Sequence, residues 1–357
     1  MRRLDVELGE RSYPIFIGEG ALRESAERIA ELCGGGRAAV VTDTNVRAAH
    51  GDALSDVLRS RGVEAETVAV EPGEGGKSIA NLERLYHAFA GFGLRRSDAV
   101  IAFGGGVVGD LAGFAAATYM RGVALVQIPT TLLAQVDSSV GGKVAVNIDE
   151  GKNLVGSFYQ PRLVISDVSL LGTLPERELY SGMAEVVKYA AIGESGLAGL
   201  LASRGAPSGR LGDIVYMCCR CKAGYVRRDE RDTGERMTLN FGHTFGHAIE
   251  KYYGYGTYLH GEAVAMGMAL AARAGEALGV TSPEASRELL GLMDTCGLRY
   301  DFDGDPGCLI PLMAGDKKNT DGDITLILLE NFGAPTSRRI SGGALGRALT
   351  ADAAQTG

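Results

Sequence analysis

Apolar and polar positions alternate in two different rhythms along this chain. Residues 4–8 and 13–17 carry a two-residue period and predict a pair of strands. Residues 21–32 carry a helical period, and the apolar run 38–42 ends in a polar loop, Asp43-Thr44-Asn45. A helix over 46–61, a strand over Glu64–Val70, a helix over 79–92 and a fully apolar strand over 99–103 follow. Strands separated by single amphipathic helices predict a parallel sheet covered on both faces. From about Leu174-Pro175 the rhythm becomes helical, over 176–192, Leu211–Arg228, His243–Tyr253 and 261–278, with one strand at 324–329. The expected fold class is α/β with a Rossmann-like N-terminal domain over residues 1–172. A mainly α-helical C-terminal domain over 173–357 follows.

Composition narrows the class. The 357 residues are 45% hydrophobic and 22% charged, close to globular averages, which excludes disordered, fibrous and coiled-coil chains. No apolar run has the length of a membrane span, and no apolar signal core follows Met1-Arg2-Arg3, so the expectation is a cytoplasmic protein without a membrane partner. A net charge of −8 argues against nucleic acid as a partner. The basic residues are lopsided, 28 Arg against 8 Lys: Lys77, Lys143, Lys152, Lys188, Lys222, Lys251, Lys317 and Lys318. Lysine kept at a few places either marks positions that need a compact ammonium rather than a planar fork, or reflects codon bias and chance.

Several strings carry chemistry. Gly104-Gly105-Gly106-Val107-Val108-Gly109-Asp110 follows the apolar strand at 99–103 and opens a helix. Glycines there let backbone approach a phosphate, and the helix end supplies donors. Glu74-Gly75-Gly76-Lys77 is a second glycine-rich loop after a strand, able to hold hydroxyls and an anionic group. Asp137 to Lys143 and Lys152-Asn153 set charged and amide groups beside glycines, as a hydroxylated anion requires. Glu185 and Lys188 stand one helical turn apart among apolar neighbours. His243, His247 and His260 fall within 18 residues. His243 and His247, at i and i+4, share a helix face and read as a ligand pair; with a helical glutamate the set suits zinc with an open position. Spacing alone leaves open which of these candidates bind. Cys218-Cys219-Arg220-Cys221 lies in an apolar helix without a second cysteine pair and reads as buried packing, and His50 and His87 read as structural.

Taken together, FGGGVVGDLAGFAAATYMRG, IPTTLLAQVDSSVGGKVAVN, GKNLVGSFYQP, SGMAEVVKYA, LNFGHTFGHAIE and LHGEAVAMGM resemble the 3-dehydroquinate synthase family, from Val40 to about Leu329. The resemblance implies a lyase of the shikimate pathway, in chorismate and aromatic amino-acid biosynthesis. It would convert 3-deoxy-D-arabino-heptulosonate 7-phosphate to 3-dehydroquinate and phosphate. The steps would be NAD-mediated oxidation, phosphate β-elimination, reduction, ring opening and an intramolecular aldol, in a homodimer with NAD and a divalent metal, zinc or cobalt. Metal ligands would be Glu185, His243 and His260, leaving His247 as an acid–base group beside the phosphate. NAD contacts would be Asp43, Asn45, Glu74, Lys77, Gly105, Gly106, Val107, Asp110, Thr130, Thr131, Lys152 and Thr173. Substrate contacts would be Arg121, Asp137, Lys143, Asn153, Lys188, Lys222, Arg236, Asn240, His247 and one of Lys317 and Lys318. Of these, Lys143, Lys188, Lys222, Arg236, Asn240 and His247 would be catalytic, with Asp232 standing where family members usually have a longer glutamate. The competing readings are a sugar-phosphate cyclase of secondary metabolism, such as an aminodehydroquinate or 2-deoxy-scyllo-inosose synthase, and a metal-dependent polyol dehydrogenase.

Overall fold

Val40 and Val41 point to opposite sides of one strand, as do Ile101 and Ala102, yet all four are buried. Such strands need cover on both faces. The computed structural model describes residues 1–202, 209–314 and 323–353. It forms two compact units.

Unit 1 comprises Met1–Pro175 and Leu211–Arg231. Its strands are β1 (Arg2–Val6), β2 (Tyr13–Gly18), β3 (Arg37–Asp43), β4 (Glu64–Val70), β5 (Ala99–Gly104), β6 (Ala124–Pro129), β7 (Lys143–Ile148), β8 (Gly151–Phe158) and β9 (Leu163–Asp167). Seven of them form one sheet in the order β1-β2-β9-β6-β5-β3-β4, parallel except for β1 against β2, and β7 and β8 form a separate antiparallel hairpin. The helices are α1 (Ala21–Glu24), α2 (Ala26–Leu32), α3 (Thr44–Arg59), α4 (Ile79–Gly91) and α5 (Gly106–Thr118). On one face Ile29, Leu54 and Leu58 pack over Val40, Ile101, Ile128 and Ile165. On the other Leu82, Leu85, Phe89 and Leu111 pack over Val41, Ala102 and Leu125. The helix expected over 21–32 is broken at Ser25 into α1 and α2. Ser25 is itself fully buried, so the break leaves the burial pattern unchanged.

Strand β3 lies between β4 and β5, so the chain runs outward to β4 and returns on the other side. The helices after β3 and β5 therefore fall on opposite faces, as Leu54 and Leu111 in separate cores show. That arrangement opens a crevice beyond the carboxyl ends of β3 and β5, the usual ligand position in such sheets.

Unit 2 comprises Glu176–Arg210 and the chain from Asp232 onward. It contains α6 (Glu176–Ala191) and α7 (Ser195–Ala202). The helix α8 (Leu211–Arg228) follows in the chain but belongs to unit 1. The Cys219 thiol of α8 donates to the Gln135 carbonyl of unit 1 at 3.1 Å. Unit 2 continues with α9 (His243–Tyr253), α10 (His260–Ala277), α11 (Pro283–Thr295), α12 (Ile310–Ala314), the hairpin β10 (Asp323–Asn331) and β11 (Ala334–Ser341), and α13 (Gly342–Ala353). Helix α10 is apolar nearly all round because α6, α9, α11, α13 and β10 surround it. Among the described residues no helix is long and apolar enough to cross a membrane.

Candidate functional site

In unit 1 the crevice gathers most of the residues expected at a dinucleotide. Asp43 ends β3 and caps α3, its Oδ1 accepting from the Asn45 and Val46 amides at 2.9 Å each. Glu74 and Lys77 occupy the turn after β4, and the nearly buried Lys77 ammonium forms an ion pair with Asp110 of α5. Burial pushes the Asp110 carboxyl above its usual range, against the pull of Lys77. Gly105, Gly106 and Val107 form the β5–α5 turn. A Cβ on Gly105 would stand 3.0 Å from Thr131 Cγ2, so the backbone there lies unusually close to its neighbour. Thr130, just beyond β6, is buried with its hydroxyl oxygen lacking a hydrogen-bond partner in the described structure. A polar ligand in the crevice would satisfy such a group. Thr173 accepts or donates a 2.7 Å hydrogen bond with His50 Nε2, so His50, expected to be structural, touches a candidate site residue.

The residues expected at an anionic substrate in unit 1 lie nearby in the chain and on irregular backbone. Asp137 sits in a π-helical turn, Ala134–Ser138, where Lys222 of α8 reaches it. Lys143 opens β7 and is exposed; Lys152 and the exposed Asn153 begin β8. Arg121 ends the 3-10 turn Tyr119–Arg121. Four described non-glycine residues have positive φ: Met120, Arg121, Asn153 and Asp232. Three of these are candidate site residues, and strained backbone of this kind concentrates at functional sites.

In unit 2, α6, α9 and α10 converge on one carboxylate. Glu185 is 1% exposed, and neither of its oxygens has a hydrogen bond, although Lys188, equally buried and one turn on, forms an ion pair with Oε2. His243 Nε2 lies 3.4 Å and His260 Nε2 3.8 Å from Glu185 Oε1. His243 Nδ1 is 3.1 Å from the Phe241 carbonyl, which makes Nδ1 the donor and turns the Nε2 lone pair toward Glu185. Burial first, then the nearby Lys188, His260 and His247 charges, holds the His243 imidazolium well below its ordinary pKa, so the ring is neutral. A buried carboxylate paired with Lys188 and faced by two imidazole nitrogens has the donor set of a divalent-metal site.

One atom from each of Glu185, His243 and His260 falls within 4.8 Å of the others, and the same holds for the overlapping set His247, Glu250 and His260. The i, i+4 pair read from spacing, His243 with His247, does not occur together in either set. Their rings are 5.7 Å apart edge to face, and His247 is exposed. Arg236 is buried in the 3-10 segment Glu235–Asn240, which also carries Asn240. Asp232 precedes it in left-handed backbone. Lys317 and Lys318 lie outside the described residues.

Spacing and resemblance passed over Glu250. It is 7% exposed, and its Oε2 is 3.5 Å from His260 Nδ1, so the two nitrogens of that ring each face a carboxylate. The available signal was its place on α9, one turn beyond His247 and two beyond His243.

The 3-dehydroquinate synthase N-terminal profile matches residues 67–181 and the C-terminal profile residues 182–319. A 3-dehydroquinate synthase of Clostridium beijerinckii is 45% identical over 93% of this chain and 96% of its own. The chain belongs to the 3-dehydroquinate synthase family. A Bradyrhizobium member is 47% identical over 92% of this chain and 90% of its own. Beyond the family, the fold is similar to a 2-epi-5-epi-valiolone synthase of Streptomyces hygroscopicus subsp. jinggangensis solved with NAD+ and Zn2+ bound. That similarity is 27% identity and a TM-score of 0.85, over 98% of this chain and 99% of that one. A 2-deoxy-scyllo-inosose synthase structure is 26% identical with a TM-score of 0.87, over 98% of this chain and 99% of that one. An iron-containing alcohol dehydrogenase, 16% identical over 95% of this chain and 97% of its own with a TM-score of 0.67, shares the fold alone.

Proposed function

We propose that this chain is a 3-dehydroquinate synthase, a lyase that eliminates phosphate from 3-deoxy-D-arabino-heptulosonate 7-phosphate and closes the carbocycle. The observation that carries the reading is the buried, hydrogen-bond-free Glu185 carboxylate faced by His243 and His260 Nε2. It occurs in a family member whose other unit holds a crevice with an unsatisfied Thr130 hydroxyl.

Glu185, His243 and His260 would hold a divalent cation, zinc or cobalt, which supplies Lewis acidity toward the substrate's vicinal oxygens. Asp43, Asn45, Glu74, Lys77, Gly105, Gly106, Val107, Asp110, Thr130, Thr131, Lys152 and Thr173 would hold NAD, which supplies a reversible hydride acceptor. The rest falls to the chain's own groups. Lys143, Lys188, Lys222, Arg236 and one of Lys317 and Lys318 are compact or forked cations suited to a phosphate dianion and a carboxylate. Arg121, Asp137, Asn153 and Asn240 would orient hydroxyls and the carboxylate. His247, exposed on α9, would exchange a proton with the phosphate, and Asp232 would offer a shorter carboxylate as proton acceptor.

Mixing the protein with the heptulosonate phosphate, catalytic NAD and zinc should release phosphate, and a chelator should stop it. No release from folded, metal-loaded protein would sink the reading. Net NADH accumulation would point to a polyol dehydrogenase, and preference for the amino analogue to a cyclase of secondary metabolism. The reading carries with it action in the cytoplasm and a homodimer, the latter tested by light scattering on the eluted protein.

A further inference from the structure

Asn147 belongs to none of the residue sets above, yet it touches three members of them or their loops. It sits in β7 at a register shift between Val146 and Ile148, a bulge that releases it from the ladder with β8. Bulges re-aim a residue, and this one turns Asn147 toward the loop after β4. Its backbone amide donates to the Lys77 carbonyl at 2.9 Å. Its side-chain Nδ2 donates to Glu74 Oε1 at 2.7 Å. Its Oδ1 accepts the Asn153 backbone amide at 2.9 Å, across the β7–β8 turn. Asn153 has φ of +57°, a conformation that needs an external partner to hold it.

We infer that Asn147 is a positioning residue that couples the Glu74–Lys77 loop to the β7–β8 turn, so that occupation of one orders the other. The functional consequence rests on the NAD and substrate roles proposed above for Glu74, Lys77 and Asn153; the coupling itself does not. Only an amide satisfies both side-chain contacts. It must donate to a carboxylate at one end and accept an N–H at the other. An aspartate would keep the acceptor and set two carboxylates against each other at hydrogen-bond distance. A leucine would strip both contacts and leave the Glu74 oxygen and the Asn153 amide to solvent.

The test exchanges the two ends. Asn147→Asp should speed hydrogen exchange across residues 150–155 and weaken NAD binding about tenfold or more, since hydrogen bonds to charged groups are the strong ones. Combining it with Glu74→Gln reverses the polarity of the pair, because the amide introduced by that second substitution becomes the donor. The double variant should recover slow exchange relative to Asn147→Asp alone, whereas NAD affinity stays reduced because Glu74 is itself assigned to NAD. Fast exchange that persists in the double variant, or wild-type exchange in Asn147→Leu, overturns the coupling. If Asn147→Leu does not fold, Asn147→Ser removes the same two contacts in a small polar side chain. Should the wild-type protein bind no NAD, the functional reading fails, while the exchange experiment still decides the coupling. A merely structural role would lower the unfolding temperature of both single variants without the reciprocal rescue.

Discussion

The Lys222 ammonium lies 3.0 Å from Asp137 Oδ1 and 2.7 Å from the carbonyl oxygen of the same residue. One compact cation thus neutralises a carboxylate and ties down an irregular turn. Lys77 with Asp110 and Lys188 with Glu185 repeat the pairing, and all three ammonium groups are buried. An arginine fork at Lys222 cannot meet both Asp137 oxygens with a single point of charge. Lys222→Arg should therefore lower the rate of phosphate release by roughly 100-fold, the cost of misplacing a group by an ångström. A rate within a few-fold of wild type would show the ammonium to be replaceable.

Lys143 and Lys188 separate activity from stability. Lys143 is exposed, whereas Lys188 is 1% exposed within α6. Lys143→Arg should cost most of the activity and leave the thermal midpoint unchanged. Lys188→Arg should cost activity and also about 1–3 kcal/mol of stability from overpacking. Calorimetry beside the phosphate assay checks both, and equal midpoints for the two variants would contradict the burial argument.

Glu250→Gln should weaken zinc binding about 10- to 100-fold, as loss of an outer carboxylate behind a histidine ligand does. Glu185→Gln should weaken it further, because that carboxylate faces the Nε2 atoms of both histidines. Competition with a chromophoric chelator measures both without turnover. Glu250→Gln with wild-type zinc affinity would make the 3.5 Å approach to His260 incidental.

Gly261 follows His260 at the start of α10, and a Cβ there would meet the Ser181 carbonyl oxygen of α6 at 1.9 Å. Gly261→Ala must push the two helices apart, at a cost of about 1–3 kcal/mol or more. Since α6 carries Glu185 and α10 carries His260, zinc affinity should fall together with the unfolding temperature. A stable variant with lost zinc binding, or the reverse, would separate packing from the site.

Burial pushes the Cys219 thiol up to about 12, and the Cys33 thiol likewise. At pH 8 iodoacetamide should modify the exposed Cys308 long before either, with their labelling appearing only on unfolding. Mass spectrometry of the peptides reads this directly. Fast native labelling of Cys219 would contradict the packing that encloses α8.

The crevice strands and the long helices were legible because their burial follows a simple period; α8 of unit 1 and α9 of unit 2 fall at the residues the periodicity gives. Strand β6 was passed over. It interrupts its apolar run with Gln127, a buried amide that donates to the Gly109 carbonyl at 3.2 Å and so behaves as core. The hairpin of β7 and β8 was not predicted, because its glycines and lysines mask the pairing. At the site, residue types pointed to chemistry, but partners did not follow from spacing. Glu250 faces His260 across two helices, and Asn147 reaches Glu74 through a bulge. Contacts of that kind depend on tertiary geometry, which no local period encodes.

The separation of α8 from the segments that flank it has a consequence for how the protein is made. Unit 1 is not finished when its sheet has left the ribosome, because the helix that supplies Lys222 is still unsynthesised and residues 176–210 of the other unit must come first. Asp137 therefore waits for its counter-ion, and the irregular turn around it waits with it. A nascent chain stalled after residue 175 would hold a complete sheet without the helix that brings Lys222 to Asp137, since the two units alternate along the chain.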